Sequence, residues 1–168
     1  FLLRYAPGHM RKTQNGNRLS YGNLFKLDKV NVSDVLEPGL STSIGFEYKK
    51  NKLDESNLMG KEKISLSVGQ VVSEKENMDI PSATSLDQHF SDVVGDSSYY
   101  INDNVSLNYD FSIDQGYKHF NYNEIGADVQ FNEAKFNLSY LQEKNHIGNQ
   151  EFIETGLDFK LNDSAELA

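Results

Sequence analysis

The stretch Leu40-Ser41-Thr42-Ser43-Ile44-Gly45-Phe46-Glu47-Tyr48 decides the fold. Its even positions carry nearly all the bulk, and its odd positions are small or charged. Successive side chains of a strand point to opposite faces, so this segment has one apolar side and one polar side. A helix would set its apolar residues three and four apart instead. The same alternation recurs on either side. Ile64, Leu66 and Val68 alternate with Ser65, Ser67 and Gly69, and Val105, Leu107, Tyr109, Phe111 and Ile113 with Ser106, Asn108, Asp110, Ser112 and Asp114. Ile125, Ala127, Val129 and Phe131 alternate with Gly126, Asp128 and Gln130, and Phe136, Leu138 and Tyr140 with Asn137 and Ser139. Ile153, Thr155, Leu157, Phe159 and Leu161 alternate with Glu154, Gly156, Asp158 and Lys160. The pattern predicts complete strands at about 38–49, 62–73, 92–101, 105–114, 118–131, 135–142 and 151–161, with partial strands at 1–5 and 165–168. Phase breaks between Tyr122 and Ile125, where a bulge near Asn123-Glu124, or a turn, would restore it.

Connections alternate in length. Asn102-Asp103-Asn104, Asn132-Glu133-Ala134 and Asn162-Asp163-Ser164 are short and polar, as tight turns require, whereas 73–91, 115–119 and 142–150 are longer. A soluble sandwich has no reason to gather its short turns at one end, whereas an outer-membrane barrel has short periplasmic turns and longer external loops. Counted this way, residues 6–37, 74–91, 115–119 and 142–150 are external, and 49–62 is an unusually long periplasmic connection. The expected fold is all-β: an antiparallel up-and-down meander within a large transmembrane outer-membrane β-barrel. Residues 1–168 would form a single partial barrel segment, because the chain starts and stops within strand-like pattern.

Composition narrows the function classes. Acidic residues number 25 and basic residues 16, for a net charge of −9, which argues against a nucleic-acid partner. No apolar run approaches the roughly 18 residues of a membrane-spanning helix. Cysteine is absent, so neither disulfides nor thiolate chemistry enter. Residues 1–30 hold six basic residues against Asp28, a charge of +5, and the remainder carries −14. That start reads as a loop with an anionic partner, or as an ordinary solvated loop.

The polar set comprises Ser41, Ser43, Glu47, Ser65, Ser67, Asn108, Asp110, Asp114, Asp128, Gln130, Asn137, Ser139, Glu154, Asp158 and Lys160. A dry core could not hold these carboxylates, since an unpaired buried charge costs several kcal/mol. Water must therefore meet this face, and the apolar face needs a cover, which lipid, another sheet or a partner could supply. Tyr5, Tyr48, Tyr99, Tyr100, Tyr117 and Tyr140 lie near strand ends, as an aromatic girdle would, although tyrosine is also common in strands generally.

Several stretches resemble the LptD family, the outer-membrane proteins of lipopolysaccharide assembly. They are Asn23-Leu24-Phe25 with Asp28-Lys29-Val30, then Val35-Leu36-Glu37-Pro38-Gly39-Leu40 leading through Ser41-Thr42-Ser43-Ile44-Gly45-Phe46, and Ile64-Ser65-Leu66-Ser67-Val68-Gly69-Gln70. The resemblance implies lipopolysaccharide transport and insertion into the outer leaflet of the bacterial cell outer membrane. It also implies a lipoprotein plug, periplasmic bridge proteins, and no bond-making chemistry. On that reading Ser65, Ser67, Asn108, Asp110, Asp128, Asn137 and Asp158 face a hydrated lumen. Arg11, Lys12 and Arg18 are candidate contacts for lipopolysaccharide phosphates.

Other chemistry finds little footing, and no catalytic, cofactor or metal residue is expected. His9, His89, His119 and His146 show no metal-binding spacing. Ser112 or Ser139 with His119 would be needed for a serine hydrolase, and Asp87, Asp92 and Asp96 around His89 match no calcium loop. A small porin-like barrel and a soluble β-sheet binding module are the alternatives to the transport reading.

Overall fold

Nine strands form one antiparallel sheet in strict sequence order in the computed structural model. It describes residues 1–9, 11–30, 37–52, 61–144, 148–162 and 165–167, with no side-chain detail from 160 onward. The strands are β1 (Leu2–Ala6), β2 (Gly39–Asn51), β3 (Glu62–Ser73), β4 (Val93–Asn102), β5 (Val105–Ile113), β6 (Phe120–Phe131), β7 (Ala134–Glu143), β8 (Gln150–Asn162) and β9 (Ala165–Leu167). Each pairs with its sequence neighbours, and β1 and β9 have one partner each. Among the described residues the sheet is therefore open, and β1 does not meet β9. The alternation seen in the sequence fixes the register: a slip of one residue would move every side chain of a strand to the other face.

Cross-strand partners share a face, so the pairing sorts the side chains. One transverse row runs Glu47, Ser67, Asp96, Asp110 and Glu124. The opposite face has a row of Lys50, Ile64, Tyr99, Leu107, Ala127, Leu138 and Thr155. The apolar face is bare: Ile44 is 55% exposed, Phe46 60%, Ile125 55% and Leu157 61%. These side chains do not meet one another in a sealed interior.

The tight turn between β6 and β7 places Asn132 at φ 50°, a left-handed angle that asparagine tolerates better than most residues. Of the longer connections, the one at 49–62 lies largely outside the described residues.

Three expectations change. β6 is continuous through Asn123 and Glu124, with neither bulge nor turn there. The phase break arises because Tyr122 lies on the polar face, opposite Ser112 and Glu143, and the irregularity falls at Ser112/Ile113. Asp114 lies just past β5 and belongs to the β5–β6 turn, where it accepts backbone N–H bonds from Gly116, Lys118 and His119. Tyr100 pairs with Ser106 on the polar face, so it leaves the girdle set, while Tyr5, Tyr48, Tyr99 and Tyr140 lie on the apolar face.

Candidate functional site

The described part of the first long connection, residues 11–30, folds back instead of projecting as a solvated loop. Leu19, Leu24, Lys29 and Val30 are all at most 2% exposed. Leu19, Leu24 and Val30 form one apolar cluster with Val71, Ile80, Leu86 and Val94, with Tyr21 packed alongside. Burying three such side chains contributes about 1.5–3 kcal/mol each toward holding the loop against the sheet. Val71 and Val94 lie on the polar face, opposite Ser43 and Gly69 respectively, so the loop lies on that face.

A single helical turn, α1 (Tyr21–Leu24), does the docking. Asn23 closes it: Oδ1 accepts from the Ser20 N–H at 2.8 Å and Nδ2 donates to the Arg18 carbonyl at 3.1 Å. Its seat is a pair of directly opposed glycines, Gly45 and Gly69. A Cβ on Gly69 would collide with the Leu24 side chain, and one on Gly45 would lie 2.8 Å from Phe25 Cζ. Close backbone approach is what requires glycine in these two strand interiors. The connection between β3 and β4 supplies the other wall. The Thr13 N–H donates to the Asp79 carbonyl at 3.0 Å and the Leu19 N–H to the Thr84 carbonyl at 3.2 Å.

Two charged anchors fix the loop. At its end, buried Glu37 accepts the Lys29 and Val30 N–H groups at 2.9 and 2.8 Å on Oε1. Its Oε2 pairs with Arg4 of β1 at 2.9 Å, and Arg4 also donates to the Glu37 carbonyl. Lys29 lies beside this pair, and burial lowers its pKa while Glu37 pulls it back up.

The second anchor reaches across the sheet. The Arg18 guanidinium stacks 3.4 Å from the ring centroid of Tyr122 on β6, and its Nε lies 3.7 Å from Glu143 Oε1 on β7. Burial lowers the Arg18 pKa, opposed by Tyr122, Glu143, Asp110 and Asp92. Asp92, just before β4, accepts from Ser112 Oγ at 2.9 Å and Asn121 Nδ2 at 2.8 Å. Its pKa is raised by burial, and those two hydrogen bonds oppose the shift. A loop fixed to β1 and β2, seated on β3 and stacked on β6 spans most of the polar face.

Two recesses border this loop. One of about 420 Å³ lies among Arg4, Lys29, Glu37, Asn77 and Asp79. Another, about 510 Å³, lies among Arg18, Asp87, Asp92, Asp114, Asn121 and Lys144. Their charged, hydroxyl- and amide-bearing walls suit hydrated polar groups. Ser112 is committed to Asp92, and His119 is exposed in a turn. Asp87 and Asp92 are buried while His89 is exposed and bonded to the Ser73 carbonyl, and among the described residues no group of acids and histidines could hold a metal. His146 lies outside the described residues.

The residues singled out from the sequence divide. Ser65, Ser67, Asn108, Asp110, Asp128, Asn137 and Asp158 all fall on the polar face by register. Asn108 Nδ2 donates to Asp128 Oδ2 at 2.9 Å. Arg11 and Lys12 are exposed, whereas Arg18 is turned inward onto Tyr122. Sequence reading missed Glu37, Tyr122 and Glu143 as anchors. The off-phase Tyr122 was the available signal.

None of the curated proteins matches this sequence. A sheet with one bare apolar face, a carboxylate-bearing polar face and a loop folded onto it agrees with what the sequence match shows. Residues 14–164 match LptD, described as LPS transport system D, and the chain belongs to that family of outer-membrane lipopolysaccharide transport proteins.

Proposed function

We propose that this chain is a contiguous part of the wall of a larger outer-membrane barrel that delivers lipopolysaccharide to the outer leaflet. The observation that carries the reading is the two-faced sheet in a member of this family: the apolar face is left uncovered, and the polar face holds the in-folded loop. Lipid covers the first. The second faces a hydrated lumen lined by Ser65, Ser67, Asn108, Asp110, Asp128, Asn137 and Asp158, past which sugar and phosphate groups move while acyl chains stay toward lipid. The short turns face the periplasm, and the long connections face outward. Arg11 and Lys12, exposed beside the mouth, meet lipopolysaccharide phosphates. Arg18, already held by Tyr122 and Glu143, serves them through the loop it anchors. The lipoprotein plug and the periplasmic bridge proteins are the partners that family membership supports.

Depletion of the full-length protein tests the reading, with surface lipopolysaccharide measured by an outer-leaflet label. The expected result is loss of newly made lipopolysaccharide from the surface. Unchanged surface lipopolysaccharide together with reduced small-solute uptake would contradict transport and favour a passive porin. Charge reversal of Arg11 and Lys12 should slow delivery, and unchanged delivery would remove the phosphate contact.

A further inference from the structure

Lysines are concentrated at the short-turn end. Lys49, Lys50, Lys52, Lys61 and Lys63 all fall within residues 49–63, a net charge of +2 after Asp54, Glu55 and Glu62, in a chain of −9. The Lys52 N–H donates to the Lys61 carbonyl at 2.8 Å, which sets both ends of that connection side by side. Lys52, Lys61 and Lys63 line a recess of about 460 Å³ together with Tyr100, Ile101 and two carboxylates, Glu62 and Asp103, so that the lysines outnumber the acids by one. Two of the five ammoniums are paired, Lys49 with Glu47 at 2.6 Å and Lys61 with Asp103 at 3.2 Å. Among the described residues, no carboxylate lies within ion-pair distance of Lys50, Lys52 or Lys63.

Position gives the patch its meaning. Lys50 is the one charged member of the apolar row that runs through Ile64, Tyr99 and Leu107, and Ile101 at the recess is 50% exposed. A lysine at the border of an apolar face lays its stem on that face and extends its ammonium to the adjoining polar layer. Clustered lysines beside exposed apolar side chains match a phosphate attached to acyl chains better than a free phosphate.

We propose that this lysine rim binds the headgroup phosphates of anionic phospholipids in the leaflet that meets the short-turn end. The inference rests on the reading that the strands span a bilayer. The test places the full-length protein in nanodiscs of phosphatidylethanolamine with or without phosphatidylglycerol and measures retained lipid by native mass spectrometry. The parent should enrich phosphatidylglycerol several-fold at low salt, with the enrichment falling as salt screens the lysines. The triple variant Lys50→Gln, Lys52→Gln, Lys63→Gln should lose most of it. Lys75→Gln, Lys118→Gln, Lys144→Gln, which removes exposed lysines from the opposite end, should keep it. Insertion without enrichment, or equal enrichment in the first triple variant, overturns the proposal and leaves the transport reading standing. The proposal is also overturned if that variant keeps phosphatidylglycerol but retains less lipopolysaccharide, since the rim would then serve the cargo. Failure of the parent to insert at all overturns the spanning reading and this proposal with it.

Discussion

Arg18 joins the first loop to β6 and β7, which are far from it in sequence, and its chemistry explains why an arginine does it. A planar guanidinium can stack on the Tyr122 ring and still direct Nε toward Glu143. A desolvated cation–π contact is worth about 2 kcal/mol. Arg18→Ala should therefore raise amide exchange at Asn17 and Leu19, whose N–H groups bond Val30 and Thr84, by roughly 30-fold if that whole contribution is lost. Arg18→Lys should fall in between, because charge survives and stacking does not. Unchanged exchange in Arg18→Ala would show that the apolar cluster alone holds the loop. Asp114 makes a second prediction at this scale. Backbone N–H groups of His119, Lys118 and Gly116 hold its pKa below the usual carboxylate range. A depressed folded-state pKa stabilises the turn above the unfolded value of about 3.9, and that contribution is lost as pH falls through the folded value. Exchange at Lys118 and His119 should thus accelerate only in acid below that window. In Asp114→Asn the acid step should disappear, because the amide oxygen still accepts and no longer titrates.

At the scale of elements, the seat under α1 is the sensitive point. Gly45 and Gly69 occupy opposed positions on the polar face, and the helical turn lies against them. Gly69→Ala pushes a methyl group into the Leu24 side chain and to 2.7 Å from the Ile44 carbonyl, a backbone atom that has little room to yield. Overpacking of this kind costs about 1–3 kcal/mol. Gly45→Ala meets chiefly the far end of the Phe25 ring, which can swing aside, so it should cost less. Limited proteolysis within residues 11–30 should therefore be faster in Gly69→Ala than in Gly45→Ala, and equal rates would contradict the seat. The strands themselves were legible in the sequence because period-two alternation is a local signal that the final structure keeps. The loop was not. Leu19, Leu24 and Val30 are spaced too irregularly to announce a helix or a strand, and their burial depends on Val71 and Val94, distant in sequence. Tyr122 fell off phase because it answers to Arg18 and not to lipid, so the local irregularity marked a tertiary contact.

For the whole molecule, the arrangement turns on which medium wets each face of the sheet. Register puts Asp96, Asp110 and Glu124 side by side across three strands, and Asp110 is among the carboxylates that favour the charged form of Arg18. Adjacent carboxylates of this kind are tolerable where water screens them and costly where it does not. The opposite face carries Ile44, Phe46, Ile125 and Leu157 largely uncovered, an area too apolar to leave in water. These 168 residues contain no cysteine, so a cysteine placed among them adds one thiol to be read against the parent full-length protein. Single cysteines placed along β5 from Val105 to Ile113, in the full-length protein within its membrane, can be probed with a membrane-impermeant maleimide. Labelling is expected at Ser106, Asn108 and Asp110 and protection at Leu107, Tyr109 and Phe111. Equal labelling of both sets, or protection of the polar set, would contradict this arrangement.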